Sequence, residues 1–332
     1  MGHQSHFQLQ VARMGDQLIP AQLFHVFYSL LCRCFIRVLS YSPMPRHIAF
    51  ILDGNRQYAK KWNFTDGEIY QRGFCNLMSI LRYCCEMGVE FVTVFAFSID
   101  NFKRKPTEVQ LVMDLVKEKM DAIIEDMNTV NDLDVRIKFL GRLTLLDESM
   151  RKAAEKLMAM TAKNKRLVVF VCLCYTSTDE IMHGVEGLWE EAKNNKGREK
   201  IANGLITAGD LEQKMYFANH PAPDILIRTA GETRLSNFLL WQTAFCLLYT
   251  PRCLWPELTF WHLVWAVLLY QRKYAYLEKI TKRMCGFGVL LCQEHKKQIY
   301  SIYKVTLILL LKGGRSMVVE STCGGIEPKK SI

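Results

Sequence analysis

Apolar residues fall in short unbroken runs, and nearly every run stops at polar, turn-forming residues. Ile48 to Leu52 is one such run; it ends at Asp53-Gly54-Asn55, and helix formers follow at once. A run of this length suits a strand buried in a parallel sheet. Phe91 to Phe97 predicts a second strand, ending in Ser98-Ile99-Asp100-Asn101-Phe102-Lys103-Arg104. Val135 to Leu140 and Leu167 to Leu173 predict two more, the latter meeting Cys174-Tyr175-Thr176-Ser177-Thr178. Asp224 to Ile227 predicts another, running into Arg228-Thr-Ala-Gly-Glu-Thr-Arg-Leu-Ser-Asn237 and then the apolar run Phe238 to Gln242. Polar residues thus gather at strand C-terminal ends, the edge at which open parallel sheets bind ligands.

Helical spacing fills the intervals. Leu77, Met78, Leu81, Cys84 and Cys85 follow Phe74 and stop at Gly88. Thr107 and Gln110 predict a capping box for a longer helix with Val109, Val112, Met113, Val116, Met120, Ile123 and Ile124 along one face. That stripe suits plain core, or the wall of an apolar tunnel. A helix is expected around Met150 to Met160, and another after Leu254-Trp-Pro-Glu257, carrying Phe260, Leu263, Val264, Val267, Leu268 and Tyr274.

Two strand ends carry chemistry. At the first, the Asp53 carboxylate, a glycine that lets the backbone approach a ligand, and free amides opening a helix together suit an anion carried with Mg²⁺. An ordinary strand-to-helix turn is the alternative. At the second, Arg228, Arg234 and Ser236 around Gly231 offer a fork of donors that a diphosphate can accept; a solvated charge cluster is the alternative.

Charge and composition narrow the partner. The 332 residues are enough for one large or two ordinary domains, and 43 Lys and Arg against 33 Asp and Glu leave a net charge of +10. An anionic partner is expected: nucleic acid, anionic lipid or a phosphorylated small molecule. No RNA-recognition or helix-turn-helix signature accompanies the charge, which argues against nucleic acid. The 12 cysteines lie largely in apolar segments without metal or disulfide spacing, so reduced thiols, a cytosolic compartment and an unused Asn63 sequon are expected. Residues 1 to 45 lack a secretory-signal pattern, yet Leu23 to Leu39 suits a helix lying on a membrane surface or packed on the domain. Residues 191 to 204 read as an exposed loop. Thr306 to Leu311 is too short to span a bilayer, and Lys312 to Ile332 reads as an unstructured tail.

Taken together, His47-Ile-Ala-Phe-Ile-Leu-Asp-Gly-Asn55, Ala96-Phe-Ser-Ile-Asp-Asn-Phe102 and Asp224-Ile-Leu-Ile-Arg-Thr-Ala-Gly-Glu-Thr-Arg-Leu-Ser-Asn-Phe-Leu-Leu-Trp-Gln242 resemble the cis-prenyltransferases, most of all plant enzymes of the dehydrodolichyl type. The likeness runs roughly from Pro45 to Lys282. It implies an α/β fold, a mainly parallel central sheet flanked by helices, with an apolar tunnel for the growing chain. It implies a catalytic domain over 45–283, an N-terminal extension over 1–44 and an atypical tail over 284–332. The implied reaction condenses isopentenyl diphosphate onto an allylic diphosphate of the farnesyl type. By similarity Asp53 anchors the Mg²⁺ diphosphate while Gly54, Asn55 and Arg56 cradle its phosphates. Ser98, Asn101, Phe102 and Arg104 belong to a closing loop, with Asn101 steering proton loss. Arg228, Arg234 and Ser236 hold the diphosphate of isopentenyl diphosphate. A homodimer or a second, non-catalytic subunit is implied, together with peripheral membrane contact at the cytosolic face of the endoplasmic reticulum, or else the cytosol.

Several positions depart from the family pattern. Gln57 replaces a second arginine, Ile69-Tyr70 replaces a Gly-His pair, and Leu247 replaces a carboxylate that bacterial relatives carry. The first two remove a fixed cation and a phosphate-facing imidazole, and so bear on activity rather than fold. No Arg-x-Gly ending is present, so a subunit supplying one is expected. Two rivals follow: a catalytically impaired or non-catalytic subunit of the same complex, and a phosphohydrolase using Asp53 as nucleophile. Against the latter, Asn55 stands where the common pattern wants a carboxylate.

Overall fold

The computed structural model describes residues 27–193 and 207–294, apart from the side chains of 66, 129 and 282–294. Most of the 191–204 loop, the start of the 23–39 helix, and the Thr306–Leu311 and Lys312–Ile332 segments lie outside the described residues. The chain divides into two compact units, Met1–Leu277 and Glu278–Ile332.

Six strands form one sheet: β1 His47–Ile51, β2 Phe91–Ser98, β3 Val135–Leu140, β4 Leu167–Tyr175, β5 Ile225–Arg228 and β6 Leu247–Tyr249. Their order is β3-β4-β2-β1-β5-β6, and all five pairings are parallel. β1 and β5, near the middle, are buried at every position, as their unbroken apolar runs require. Strand order reverses at β1, so the C-terminal ends of β1, β2 and β5 open side by side.

The helices are α1 (27–39), α2 Asn55–Trp62, α3 Asp66–Glu86, α4 Pro106–Glu125, α5 Asn128–Asp132, α6 Glu148–Met160, α7 Ser177–Ala192, α8 Ala208–Glu212 and α9 Phe260–Glu294. One face of the sheet packs Ile48, Phe50, Val92, Val94, Val169 and Ile227 against apolar residues of α3, α4, α6 and α9. The other packs Ala49, Phe170, Cys172 and Leu226 against Phe217, Phe238 and Leu239. Fully burying each large aromatic stabilises by about 2–3 kcal/mol, so both faces contribute.

Three local expectations are corrected. Lys105, not Thr107, precedes the first turn of α4 and caps it with no side-chain bond. Pro106 starts that helix because its missing N–H is no loss there, and Gln110 donates to Asp114 instead. Asp224 lies just outside β5, its carboxylate accepting from the backbone N–H of Arg46 and His47. Leu268 leaves the buried stripe of α9 and is exposed.

Candidate active site

The loop after β1 is held from two sides. The Thr229 hydroxyl donates to the Asp53 carbonyl at 2.6 Å and accepts the Asp53 N–H at 3.0 Å, while Trp255 N–H reaches the same carbonyl at 3.0 Å. This fixes the Asp53 carboxylate, which accepts from Gly54 N–H at 2.9 Å and from Arg228 Nη2 at 2.7 Å. Gly54 sits at φ +102°, and a Cβ there would come 2.9 Å from Leu254. Glycine is therefore required both by conformation and by space.

Gly54 also opens α2. Among the described residues no side chain caps that helix, and no acidic residue occupies its first turn, so its amides are left for an anion. Asn55 Nδ2 bonds the Leu52 carbonyl, while its Oδ1 is buried without a partner among the described residues. The Oδ1 crowds Gly73, where a Cβ would approach it to 3.1 Å. Arg56 is exposed, 4.0 Å from Glu108.

Beyond β2, the Asn101 carboxamide oxygen accepts Ser98 N–H at 3.0 Å and Ser98 Oγ accepts Asp100 N–H at 3.1 Å. This reciprocal cap winds the loop into a tight 3-10 turn, Ile99–Lys103. Phe97 is buried, and Phe102 meets it edge-on at 5.0 Å while staying 39% exposed. Arg104 pairs with Glu108 at 2.9 Å. Glu108 thus bridges Arg56 and Arg104, joining two predicted binding loops.

After β5, Arg228 is buried although charged. Its Nη2 takes Asp53 and its Nη1 takes Ser236 Oγ at 2.7 Å and the Arg234 carbonyl; its Nε has no partner among the described residues. Arg234 is exposed at the rim, 2.8 Å from Glu232. Asp53, Arg228 and Ser236 are therefore one hydrogen-bonded chain linking β1 to the β5 loop. Asn101 stays bonded within its own loop.

The β5 loop is strained and clamped. Ala230, Ser236, Asn237 and Leu239 all have positive φ, which costs roughly 1–3 kcal/mol each unless the surroundings impose it. The first turn of α7 imposes it: Ser177 N–H donates to the Asn237 carbonyl at 2.7 Å, Ser177 Oγ accepts Leu240 N–H at 2.8 Å, and Thr178 N–H and hydroxyl both reach Asn237 Oδ1 at 3.1 Å. Behind it the buried Glu180 accepts from Tyr175 OH at 2.5 Å, Gln242 at 3.0 Å and Phe217 N–H at 2.9 Å. Burial pushes the Glu180 carboxyl up from its ordinary range, and these donors oppose that shift.

Thr229, Glu108 and Asn237 were not singled out from the sequence. Glu108 left a signal, since it stands in the first turn of the expected helix, four residues beyond Arg104 and within side-chain reach of it. The strand-end run Thr176-Ser177-Thr178 left another. Asn237 closes the polar run after β5, but nothing local marks it as the clamped residue.

The prenyltransferase family of undecaprenyl diphosphate synthases matches residues 51–277, more than half of the chain. Dehydrodolichyl diphosphate synthase 6 of Arabidopsis thaliana is 45% identical over 291 residues, covering 83% of this chain and 98% of the relative. A dehydrodolichyl diphosphate synthase complex subunit of Homo sapiens is 40% identical over 258 residues, 76% of this chain and 74% of the relative. The crystal structure of lavandulyl diphosphate synthase from Lavandula x intermedia with dimethylallyl diphosphate aligns with a TM-score of 0.63 and 27% identity, over 69% of this chain and 95% of that one. The chain belongs to this family of cis-prenyltransferases, which are transferases of prenyl groups.

Proposed function

We propose that the protein elongates an allylic diphosphate of the farnesyl type with isopentenyl diphosphate, adding cis isoprene units toward a long-chain polyprenyl or dehydrodolichyl diphosphate. The observation that carries this is the chain Asp53–Arg228–Ser236 beside the uncapped start of α2. It sets a carboxylate, buried and rim arginines and free amides around the adjoining ends of β1 and β5. Two diphosphates need that density of positive charge and donors.

The donor set fits Mg²⁺. Among the described residues no group of three His, Cys, Asp or Glu is able to hold an ion by itself. Asp53 offers a single carboxylate, which suits an ion arriving on a diphosphate and completed by phosphate oxygens and water. Asp53 would hold such an ion, which would supply positive charge against the diphosphate leaving group. Gly54, Asn55 and Arg56 cradle the allylic phosphates. Arg228, Arg234 and Ser236 receive those of isopentenyl diphosphate, Arg228 from beneath. Ser98, Asn101, Phe102 and Arg104 close over both substrates, Asn101 directing proton loss, while Phe97 and Phe102 keep water from the allylic cation. Glu108 holds Arg56 and Arg104 together until phosphate oxygens compete for them. The half-buried Val109, Met113, Val116, Ile123 and Ile124 of α4 give the tunnel wall.

The catalytic part is 45–283, flanked by the extension 1–44 and the tail 284–332. The work is done at the cytosolic face of the endoplasmic reticulum, with a second cis-prenyltransferase-like chain as partner, in keeping with the human relative's name as a complex subunit. A non-catalytic role is the second reading. It is favoured by exposed Gln57 and by Tyr70, whose ring packs against two apolar clusters. Incorporation of labelled isopentenyl diphosphate onto farnesyl diphosphate with Mg²⁺, with and without a candidate partner, decides between them. Long product lost with Asp53→Ala is expected; equal activity in that variant overturns catalysis by this chain.

A further inference from the structure

The outer strand of the sheet carries a cluster of basic groups that the diphosphate site does not use. β3 lies at the sheet edge, and its side chains alternate. Val135, Ile137 and Phe139 are buried on one face, while Arg136, Lys138 and Leu140 are half-buried on the other. Lys138 stands opposite Phe170 of β4, and its Nζ lies 6.0 Å from that ring. From the segment before β5, His220 packs on the same ring at 4.7 Å and on Phe91 at 6.2 Å. With the imidazole held there, its Nε2 is 3.1 Å from Lys138 Nζ.

The charges around this pair have one sign. Arg136 shares the half-buried face of β3. β4 and β2 bring the rings of Phe170 and Phe91, which carry no charge, and His47 lies near His220. Among the described residues no carboxylate pairs with Arg136, Lys138 or His220. Burial and the Arg136 guanidinium push the Lys138 ammonium down, and burial with Lys138 and Arg136 does the same to His220. Both groups therefore give up their protons more readily than exposed ones. An uncharged amine is a nucleophile; an ammonium is not.

We propose that Lys138 is a modification site, a nucleophilic lysine acylated by small acyl thioesters with His220 as its base. The Nζ lone pair attacks the thioester carbonyl carbon, a C–N bond forms and the C–S bond breaks. The sulfur departs as thiolate, and the proton released by the amine passes to His220 Nε2, which already stands within hydrogen-bond reach. The cluster offers a nucleophile, a base and a fixed cation, but no carboxylic acid to protonate a leaving group. That suits a donor whose leaving group departs as an anion, as a thiolate does near neutral pH. The amide product has lost the lysine's charge, so the repulsion from Arg136 ends with it. The assignment stands on these residues, not on prenyl transfer.

Incubation of the full chain with acetyl-coenzyme A, followed by peptide mass spectrometry at each lysine, tests it. At about pH 7.5 Lys138 is expected to gain acetyl about five-fold faster than the exposed Lys60 and Lys156. Its rate levels off at a lower pH than theirs, because its ammonium is the one disfavoured by burial and Arg136. His220→Gln slows Lys138 by about ten-fold and leaves Lys60 and Lys156 unchanged. Arg136→Gln moves the Lys138 profile to higher pH, since a neighbouring cation is gone. Urea midpoints report the folding of both variants, and the wild-type comparison stands without them. Wild-type Lys138 acetylated no faster than Lys60 and Lys156 overturns the proposal, as does equal labelling of Lys138 in folded His220→Gln.

Discussion

At the N-terminal end of the sheet, His47 gives its Nδ1–H to the Pro221 carbonyl and accepts the Thr93 hydroxyl on Nε2, both at 2.7 Å. Asp224 beside it accepts the N–H groups of Arg46 and His47, and the hydroxyl of Tyr270 at 3.2 Å. At the C-terminal end lie Asn55 Oδ1 and Arg228 Nε, two of the three buried side-chain atoms without a partner among the described residues, together with Ala230, Ser236, Asn237 and Leu239 at positive φ. A parallel sheet places both ends in one fold, yet one end is closed by saturating its polar groups and the other holds unpaired donors and acceptors in reserve; positive φ occurs at both, as at Asp134 just before β3. Unspent polar capacity in a native structure marks a place where something else is meant to bind.

The contrast predicts that damage at the C-terminal end is read in turnover, and damage at the N-terminal end in stability. Asp53→Ala is the largest effect: a fall of about 1,000-fold in isopentenyl diphosphate incorporation, since the carboxylate acts where charge develops. Retained turnover would break the comparison outright.

His47 comes next. Burial, with the nearby charge of His220, lowers its pKa to about 4, against about 6.5 in an unfolded chain. As pH falls through this range the unfolded chain takes up the proton first. Stability is therefore full above about pH 6.5 and drops by about 3 kcal/mol as pH approaches 4. Urea unfolding midpoints across that range show the loss in wild type, and a flatter profile in His47→Asn. Equal slopes would place the acid sensitivity elsewhere.

Ser177→Ala removes the acceptor for Leu240 N–H and loosens the clamp on the loop that carries Ser236. The expected result is a rise of about ten-fold in KM for isopentenyl diphosphate with KM for the allylic primer held within about two-fold. Equal changes in both constants would make the clamp a matter of general stability. The smallest effect is a gain. Tyr70→His with Gln57→Arg is expected to raise kcat/KM by a few-fold, at most about ten-fold, if the chain is already active. Activity appearing only in that double variant would favour the non-catalytic reading of the natural sequence.

Much of this was legible beforehand. The strand runs, the helix stop at Gly88 and the polar strand ends read directly, because unbroken apolar runs and turn residues report local burial and conformation. Asp53, Arg228 and Ser236 read as anion chemistry for the same reason. What did not read was who bonds whom. Arg228 gave no sign of being buried, nor Glu108 of reaching Arg56 as well as Arg104, and the Thr107 cap gave way to Pro106, whose missing N–H costs nothing in the first turn.

By itself the sequence determined the residue types, their order and the family: carboxylate, glycine and arginines at successive strand ends are covalent facts of the chain. Only the tertiary structure decided that Asp53 and Arg228 form one ion pair, that Ser177 holds the loop after β5, and that Lys138 meets His220. These depend on groups far apart along the chain whose meeting is set by strand order and helix packing, which local propensity does not encode.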